Sequence, residues 1–207
     1  AAQDNTGVGI AALDALTSGD NNTAVGSDAG TALTEGIRNT LIGATAGDSI
    51  TTGRMNTAVG YQAHAALVST DYSTAIGAYA LSSATGAYNT AVGKNAGGGV
   101  VAGAYNLMLG WEAGDNITSG DGNVIIGSIN AGSATGDRQL MITGYDGTTT
   151  TTWIDGDSSG NVTFPAEIDA VTLDISGNAD IDGTTNLDAV DIDGAVQIDA
   201  TFTSGVD

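Results

Sequence analysis

The sequence predicts an all-β fold, a parallel β-solenoid or β-roll built from eight coils of about 17 residues. First, a pentapeptide of the form Asn-Thr-small-β-branched-Gly recurs eight times at intervals of 16 or 17 residues. Second, glycine interrupts the chain every few residues, which disfavours helices. Third, Thr, Val and Ile cluster between the glycines, which favours short strands. A short fixed period of this kind is typical of stacked units in a solenoid.

The eight copies hold several positions constant when each is numbered from its first residue. Position 5 is Gly in all eight copies, position 8 is Ala in seven, position 12 is apolar, and a second Gly recurs near position 15. We expect each copy to form one coil, with a strand at positions 1–5, a turn, a second strand near positions 8–12 and a turn near position 15. The copies begin at Asn5, Asn22, Asn39, Asn56, Ser73, Asn89, Asn106 and Asn123.

Alternation along the first strand places positions 2 and 4 on one face and positions 1, 3 and 5 on the other. We expect position 4 to fill the coil interior. Position 3 is apolar as well, and a strand apolar on both faces is expected where both are covered. Because one coil has few large apolar residues, we expect position 3, including Leu41, Met108 and Ile125, to be buried between chains of a homotrimer. The predicted repeat core is Val8, Val25, Ile42, Val59, Ile76, Val92, Leu109 and Ile126.

The repeat loses its regularity after Gly127, so we assign residues 1–139 to the β-roll and residues 140–165 to a small β connector. In the connector, residues 139–144, 151–154 and 161–164 have strand character, and turn-forming residues separate them. The only proline of the chain, Pro165, ends the last of these segments.

Residues 166–207 form a third, acidic segment in which Asp follows Ile or Leu every five to eight residues. This spacing predicts a β-rich stalk with aliphatic side chains inward and Asp outward. Of the 24 acidic residues, 13 lie after residue 144, where no basic residue occurs. Packing several copies side by side would concentrate this charge, which favours bound cations or high ionic strength.

Composition excludes several functional classes. A net charge of -20 argues against nucleic-acid binding, which depends on Lys and Arg. No apolar run is long enough to span a membrane. The chain has no Cys, one His and one Lys, so it lacks the residues that usually serve as a catalytic nucleophile and its general base. We therefore expect that it is not an enzyme and that it has no catalytic residue and no cofactor.

Metal binding is the weaker alternative at two places. Asp155 and Asp157 copy the opening of an EF-hand calcium loop, but the residue at its twelfth position is Ala166, so a plain turn is the preferred interpretation. Asp182 and Asp193 belong to the acidic segment, where a solvated face is preferred over weak Ca²⁺ or Mg²⁺ binding.

Three further features concern the surface and the repeat axis. Five aromatic residues fall at coil corners, where they are candidates for contact with a glycan or protein receptor, with shielding of the corners or packing between chains as the alternative: Tyr61, Tyr79, Tyr88, Tyr105 and Trp111. His64 is expected on a surface turn.

Columns of Asn at position 1 and Thr at position 2 are expected to run along the axis, where Asn adds hydrogen bonds between coils. A flat Thr column also suits ice binding.

The residues at 22–30, Asn-Thr-Ala-Val-Gly-Ser-Asp-Ala-Gly, and at 56–63, Asn-Thr-Ala-Val-Gly-Tyr-Gln-Ala, resemble the head repeats of trimeric autotransporter adhesins. These adhesin heads are left-handed parallel β-rolls in a homotrimer. The same residues are still more similar to arrays in bacteriophage tail-fibre proteins, and the acidic segment 178–194 is similar to repeats of marine phage fibres.

This resemblance implies an extracellular structural segment of a trimeric tail fibre on the virion. Its expected partners are its own copies, neighbouring fibre or virion proteins, and a host cell-surface glycan or protein. The alternatives are a bacterial surface adhesin head and, less favoured, an ice- or calcium-binding solenoid. Because the chain starts inside a repeat, we expect it to be part of a longer protein.

Overall fold

The computed structural model describes residues 1–66 and 68–169. Over these residues the chain forms a parallel β-solenoid, and no helix is present in them, which confirms the predicted fold class. Residues Ala1–Ile168 make one compact unit. Its single sheet has eleven strands that follow one another in sequence order.

The first eight strands are three residues long and occupy positions 2–4 of successive coils. They are β1 (Thr6–Val8), β2 (Thr23–Val25), β3 (Thr40–Ile42), β4 (Thr57–Val59), β5 (Thr74–Ile76), β6 (Thr90–Val92), β7 (Leu107–Leu109) and β8 (Val124–Ile126). Neighbouring strands pair in parallel with equal positions opposite one another. At about 4.8 Å per coil, eight coils extend roughly 40 Å.

The prediction of a second strand near positions 8–12 is wrong. Each coil has a single strand, and turn residues make up the rest of its perimeter. Positions 7 and 9 have a left-handed backbone, with φ between 50° and 62° in the seven coils from Asn5 to Asn106. Such residues curl the chain and interrupt an extended strand. The backbone still bonds from coil to coil in this region, for example from Leu13 N to Ala29 O (3.1 Å).

The predicted facing of the strand is inverted. Position 3 is the interior position, and its residues from Ala24 to Ile125 are fully buried within one chain. The predicted interchain residues Leu41, Met108 and Ile125 are therefore core residues. Position 4, predicted as the core, points outward instead. The exposed members are Val8 (57%), Val25 (37%), Ile42 (39%), Ile76 (40%) and Val92 (38%), and Val59, Leu109 and Ile126 are partly exposed.

A narrow coil interior explains the inversion. Strand alternation places the side chains of positions 1 and 3 on the same face, as expected. That face is the buried one, because it points toward the buried residues of positions 8 and 12. Ala at position 8 in seven coils and at position 3 in four of them leaves room for the aliphatic residues at position 12. A branched side chain at every inward strand position would overfill so thin a core.

The strands predicted in the connector are present and extend the same sheet. β9 (Leu140–Tyr145) pairs in parallel with β8. β10 (Thr150–Gly156) pairs antiparallel with β9, and the short β11 (Val162–Thr163) pairs antiparallel with β10. The register of β9 and β10 shifts between Thr152 and Ile154, so Trp153 is the extra residue of a β-bulge. All but four residues of the predicted acidic stalk lie outside the described residues.

Candidate functional surfaces

An asparagine ladder at position 1 joins the coils, as the sequence predicts. Asn106 is typical: its Nδ2 donates to Asn89 Oδ1 (3.2 Å) and to Gly120 O (2.9 Å). Its Oδ1 accepts from both the backbone N and Nδ2 of Asn123, each at 2.9 Å. These amides are buried but their hydrogen-bonding groups are paired, which is the condition for a stabilising buried polar network.

His64 lies inside the solenoid, so its predicted place on a surface turn is wrong. The side chain is fully buried, and neither Nδ1 nor Nε2 has a hydrogen-bond partner. Burial lowers the pKa of His64 from 6.5 to about 4, because the charged imidazolium is costly away from water. His64 occupies position 9 of its coil, and Leu81 occupies the same position in the next coil. Both side chains are buried and fill the core there.

The outward side of β1 to β8 forms a continuous surface that we call the outer strand face, composed of positions 2 and 4 of each coil. Position 2 is Thr in β1 to β6, and position 4 is Val, Ile or Leu in all eight strands. The strands contain no charged residue, although the chain carries -20. Equal positions pair in register, so the aliphatic side chains of position 4 form one column.

A second exposed feature is a tyrosine stack at the last position of three coils, just before position 1 of the next coil. Tyr72, Tyr88 and Tyr105 lie in successive coils, with ring centroids 5.3 and 4.8 Å apart and planes within 5° of parallel. All three are exposed, and Tyr88 and Tyr105 are among the predicted surface-contact aromatics, whereas Tyr72 is not. The 17-residue spacing of Tyr88 and Tyr105 is the sequence signal for this stack.

The predicted corner aromatics are exposed, and each has an aromatic neighbour. Tyr61 and Tyr79 meet edge to face with centroids 5.3 Å apart. Trp111 lies 6.1 Å from Tyr145 of β9, at an angle of 38°. The structure thus brings Trp111 to the β9–β10 hairpin, two coils further along.

The β9–β10 hairpin carries a cavity of about 340 Å³ that sequence reasoning did not find. Trp153, Tyr145, Gly144, Asp146, Thr149 and Thr151 line it. Trp153 and Tyr145 are 56% and 43% exposed. The indole covers Gly144, because a Cβ on that glycine would lie 2.5 Å from Trp153 Cζ2. The sequence does not predict the bulge at Trp153, because the bulge depends on how β10 pairs with β9.

The turn of this hairpin holds the carboxylate of Asp146 in place. Its Oδ1 accepts from Thr149 N (2.8 Å), Thr148 N (2.9 Å) and the Thr148 hydroxyl (2.8 Å). These hydrogen bonds, from the backbone of Thr149 first, lower the pKa of Asp146. The carboxylate therefore stays ionised at neutral pH.

The candidate calcium residues Asp155 and Asp157 line one pocket together with Asp137. Asp157 is a turn residue, and its carboxylate accepts from Ser159 N (2.8 Å), Asn161 N (3.0 Å) and Asn161 Nδ2 (2.7 Å), with its pKa lowered by the bonds to Asn161. Asp155 belongs to β10. Among residues 1–66 and 68–169, no group of three or more acidic, His or Cys side chains is placed to hold a metal ion. Asp182 and Asp193 lie outside this range.

Comparison with known proteins gave no match to a family model, a curated protein or a solved structure. In the described part of the chain, no helix has the length and apolar character needed to cross a membrane.

Proposed function

We propose that the chain is a rigid structural segment of a homotrimeric bacteriophage tail fibre, extracellular and part of the virion, that also contributes to host-surface attachment. The observation that carries the proposal is the outer strand face, an uncharged aliphatic and Thr surface that runs the length of the solenoid. The resemblance of the repeats to tail-fibre arrays supports the same assignment.

Stiffness is the first property that a fibre needs, and the coil contacts supply it. Each coil bonds to the next through its strand, its turns and the asparagine ladder. The core residues of neighbouring coils also stack into one continuous column. Because every coil is tied to its neighbours around its whole perimeter, bending would strain many hydrogen bonds together.

Assembly is the second property, and the outer strand face suits contact between copies. An exposed aliphatic column of this length is unusual for a monomer. Two copies of the same chain have the same coil spacing, so their columns match in register over the full length. Contact through this face buries no charge, because the strands carry none, and it leaves the acidic residues of each copy in solvent.

The oligomeric state tests the proposal directly. Light scattering after size exclusion of the 207-residue chain, with and without EDTA, should give three chain masses in both conditions. A single chain mass would contradict the fibre assembly. A trimer that dissociates in EDTA would instead make the acidic segment after residue 165 a metal site.

Ice binding is the second candidate, favoured by one observation. Thr6, Thr23, Thr40, Thr57, Thr74 and Thr90 form a regular column on the outer strand face. An ice-binding solenoid would be a monomer with this face open to water. Thermal hysteresis by a monomeric sample would favour this candidate, and a trimer without hysteresis would exclude it. The bacterial adhesin head shares the trimer, and antibody labelling of virions against bacterial cells separates it from the fibre.

A further inference from the structure

We propose that the cavity on the β9–β10 hairpin binds a neutral sugar of a host surface glycan, with Trp153 as the platform for the pyranose ring. The inference rests on the proposed attachment role and assigns it to a place on the chain. The cavity has a volume of about 340 Å³ and is an open cleft on the surface of the hairpin.

The aromatic side chains supply the apolar part of such a site. A pyranose ring has one face of C–H bonds, which stacks on a flat aromatic surface, and a rim of hydroxyl groups. Trp153 is 56% exposed although its ring lies against Gly144 of β9, so much of the indole stays open to solvent. Burying such an exposed aromatic surface under a ring is favourable. Tyr145 borders the same cavity, and Trp111 lies 6.1 Å beyond it.

Polar groups around the cavity match the hydroxyl rim of a sugar. The hydroxyls of Thr149 and Thr151 donate and accept hydrogen bonds. Asp146 uses Oδ1 for the turn, which leaves Oδ2 as an acceptor for sugar hydroxyls. Hydrogen bonds to an ionised carboxylate are stronger than neutral ones.

Charge selects a neutral sugar over an acidic one. The cavity is lined by one carboxylate and by no basic side chain. An anionic sugar would face Asp146 without a cation to compensate, and the net charge of -20 would repel it further. Two further facts point to a built site: the bulge that positions Trp153 and the glycine that makes room for its ring.

Saturation-transfer-difference NMR on the full chain tests this site. The probes are maltohexaose, β-1,4-mannohexaose and β-1,4-galactotetraose at millimolar concentration, with trigalacturonic acid as the anionic comparison. We expect saturation of the ring C–H protons of at least one neutral probe and none of trigalacturonic acid. Absence of signal for all three neutral probes, or an equal signal for trigalacturonic acid, would overturn the proposal.

Three variants separate binding from a purely structural role of the indole. Trp153→Ala should weaken the affinity for the bound probe at least tenfold, and Trp153→Phe should retain binding because it keeps an aromatic face. Phe164→Ala, which removes an exposed ring outside the cavity, should leave the affinity unchanged. Equal affinity for Trp153→Ala and the wild type would overturn the site.

Folding and assembly are read on the same samples. The melting temperature and the light-scattering mass of Trp153→Phe show that the hairpin is intact even where Trp153→Ala loses stability. A trimer that binds none of the sugars would remove this site and leave the fibre assembly standing. A monomer that binds a sugar through Trp153 would do the reverse.

Discussion

Position 9 of the coil holds glycine in the coils of the large position 3 residues Leu41 and Met108 and in the coil that precedes each of them. A larger side chain stands at position 9 in the coils of Leu13, His64 and Leu81. Leu41 projects between Gly30 and Gly47, and a Cβ on Gly47 would lie 2.7 Å from Leu41 Cδ2. Met108 occupies the same place between two other glycines of the column, Gly97 and Gly114. The core is thus filled by complementary volumes on opposite sides of the coil, which is what dense packing requires.

His64 is the exception in chemistry though not in volume. It fills the part of the core where position 3 is Ala58 or Ala75, but it brings two ring nitrogens without partners. An unpaired buried polar group costs about 1–3 kcal/mol.

Replacing His64 by Leu should therefore raise stability. Leu81 and Leu13 show that leucine adopts the left-handed backbone of position 9, at φ 50° and 58°. We expect His64→Leu to increase the free energy of unfolding at pH 7.5 by about 1–2 kcal/mol. Urea denaturation followed by circular dichroism measures it. A loss of stability would mean that the imidazole has a partner in solution, such as a buried water.

The same residue predicts an acid-sensitive stability. Because the pKa of His64 is about 4 in the folded chain and near 6.5 when unfolded, the unfolded state binds more protons between these values. Stability is therefore full above pH 6.5 and falls as the pH drops, by about 3 kcal/mol at pH 4. The difference between wild type and His64→Leu across pH 4–7.5 isolates this contribution from the carboxyl groups. A pH-independent difference would contradict it.

At the scale of the element, two columns set the coil spacing: the asparagine ladder and the glycine of position 5. Ser73 is the one break in the ladder among the eight coils, and there Asn89 N bonds to Ser73 Oγ at a longer 3.2 Å. The short 16-residue coil begins at this serine. The ladder therefore tolerates a smaller partner at the cost of side-chain bonds.

Removing one ladder amide should destabilise the solenoid strongly. Asn106→Ala removes one of the two donors to Asn89 Oδ1, leaves Gly120 O without its side-chain donor, and leaves the backbone N and Nδ2 of Asn123 without their acceptor. We expect a loss of about 2–4 kcal/mol, and a smaller loss for Asn106→Ser, since serine occupies the ladder at residue 73. The exposed Asn130→Ala is the matched control. Equal melting temperatures for Asn106→Ala and Asn130→Ala would show that the ladder adds nothing.

The position 5 glycine is required by both conformation and space. Gly60 has φ 137°, and a Cβ there would lie 2.6 Å from the carbonyl carbon of Gly77 in the next coil. Gly60→Ala should cost about 3 kcal/mol or more, because a side chain forces the coils apart. Gly122→Asn is the control, since its φ of 67° suits Asn and nothing crowds the site beyond Arg138 Cγ at 3.6 Å. Thermal melts of the two variants should differ clearly.

At the scale of the whole molecule, the solenoid has a buried core of its own and an exposed aliphatic column as well. The two are separated by strand alternation: position 3 stabilises the single chain, and position 4 is left for contact with another surface. This division makes folding of one chain and assembly of several chains separable by mutation.

A charge on the outer strand face should therefore break the assembly and spare the fold. Ile76→Asp is expected to shift the light-scattering mass from three chains to one, with an unchanged far-ultraviolet circular dichroism spectrum. Val101→Asp, at an exposed valine outside the strands, should keep the trimer. A trimer that survives Ile76→Asp would place the interchain contact elsewhere on the surface.

The sequence by itself determined the architecture. A Gly column at position 5, an Asn column at position 1 and a constant period allow only stacked coils, and the parallel sheet and the asparagine ladder follow from them. The strands and turns of residues 139–164 were also visible, because Gly, Asp and Pro mark turns locally.

Only the tertiary structure decided which face is inside. Strand alternation separates the side chains into two faces but does not say which face points into the coil. The larger residues at position 4 suggested that their face is the buried one, which is wrong. The direction in which the chain bends at positions 7 and 9 decides which strand face is buried. Residues as different as Thr45 and His64 share the left-handed backbone of these positions. The burial of His64 and the Trp153 cavity depend on contacts across the coil and between strands, which no local pattern encodes.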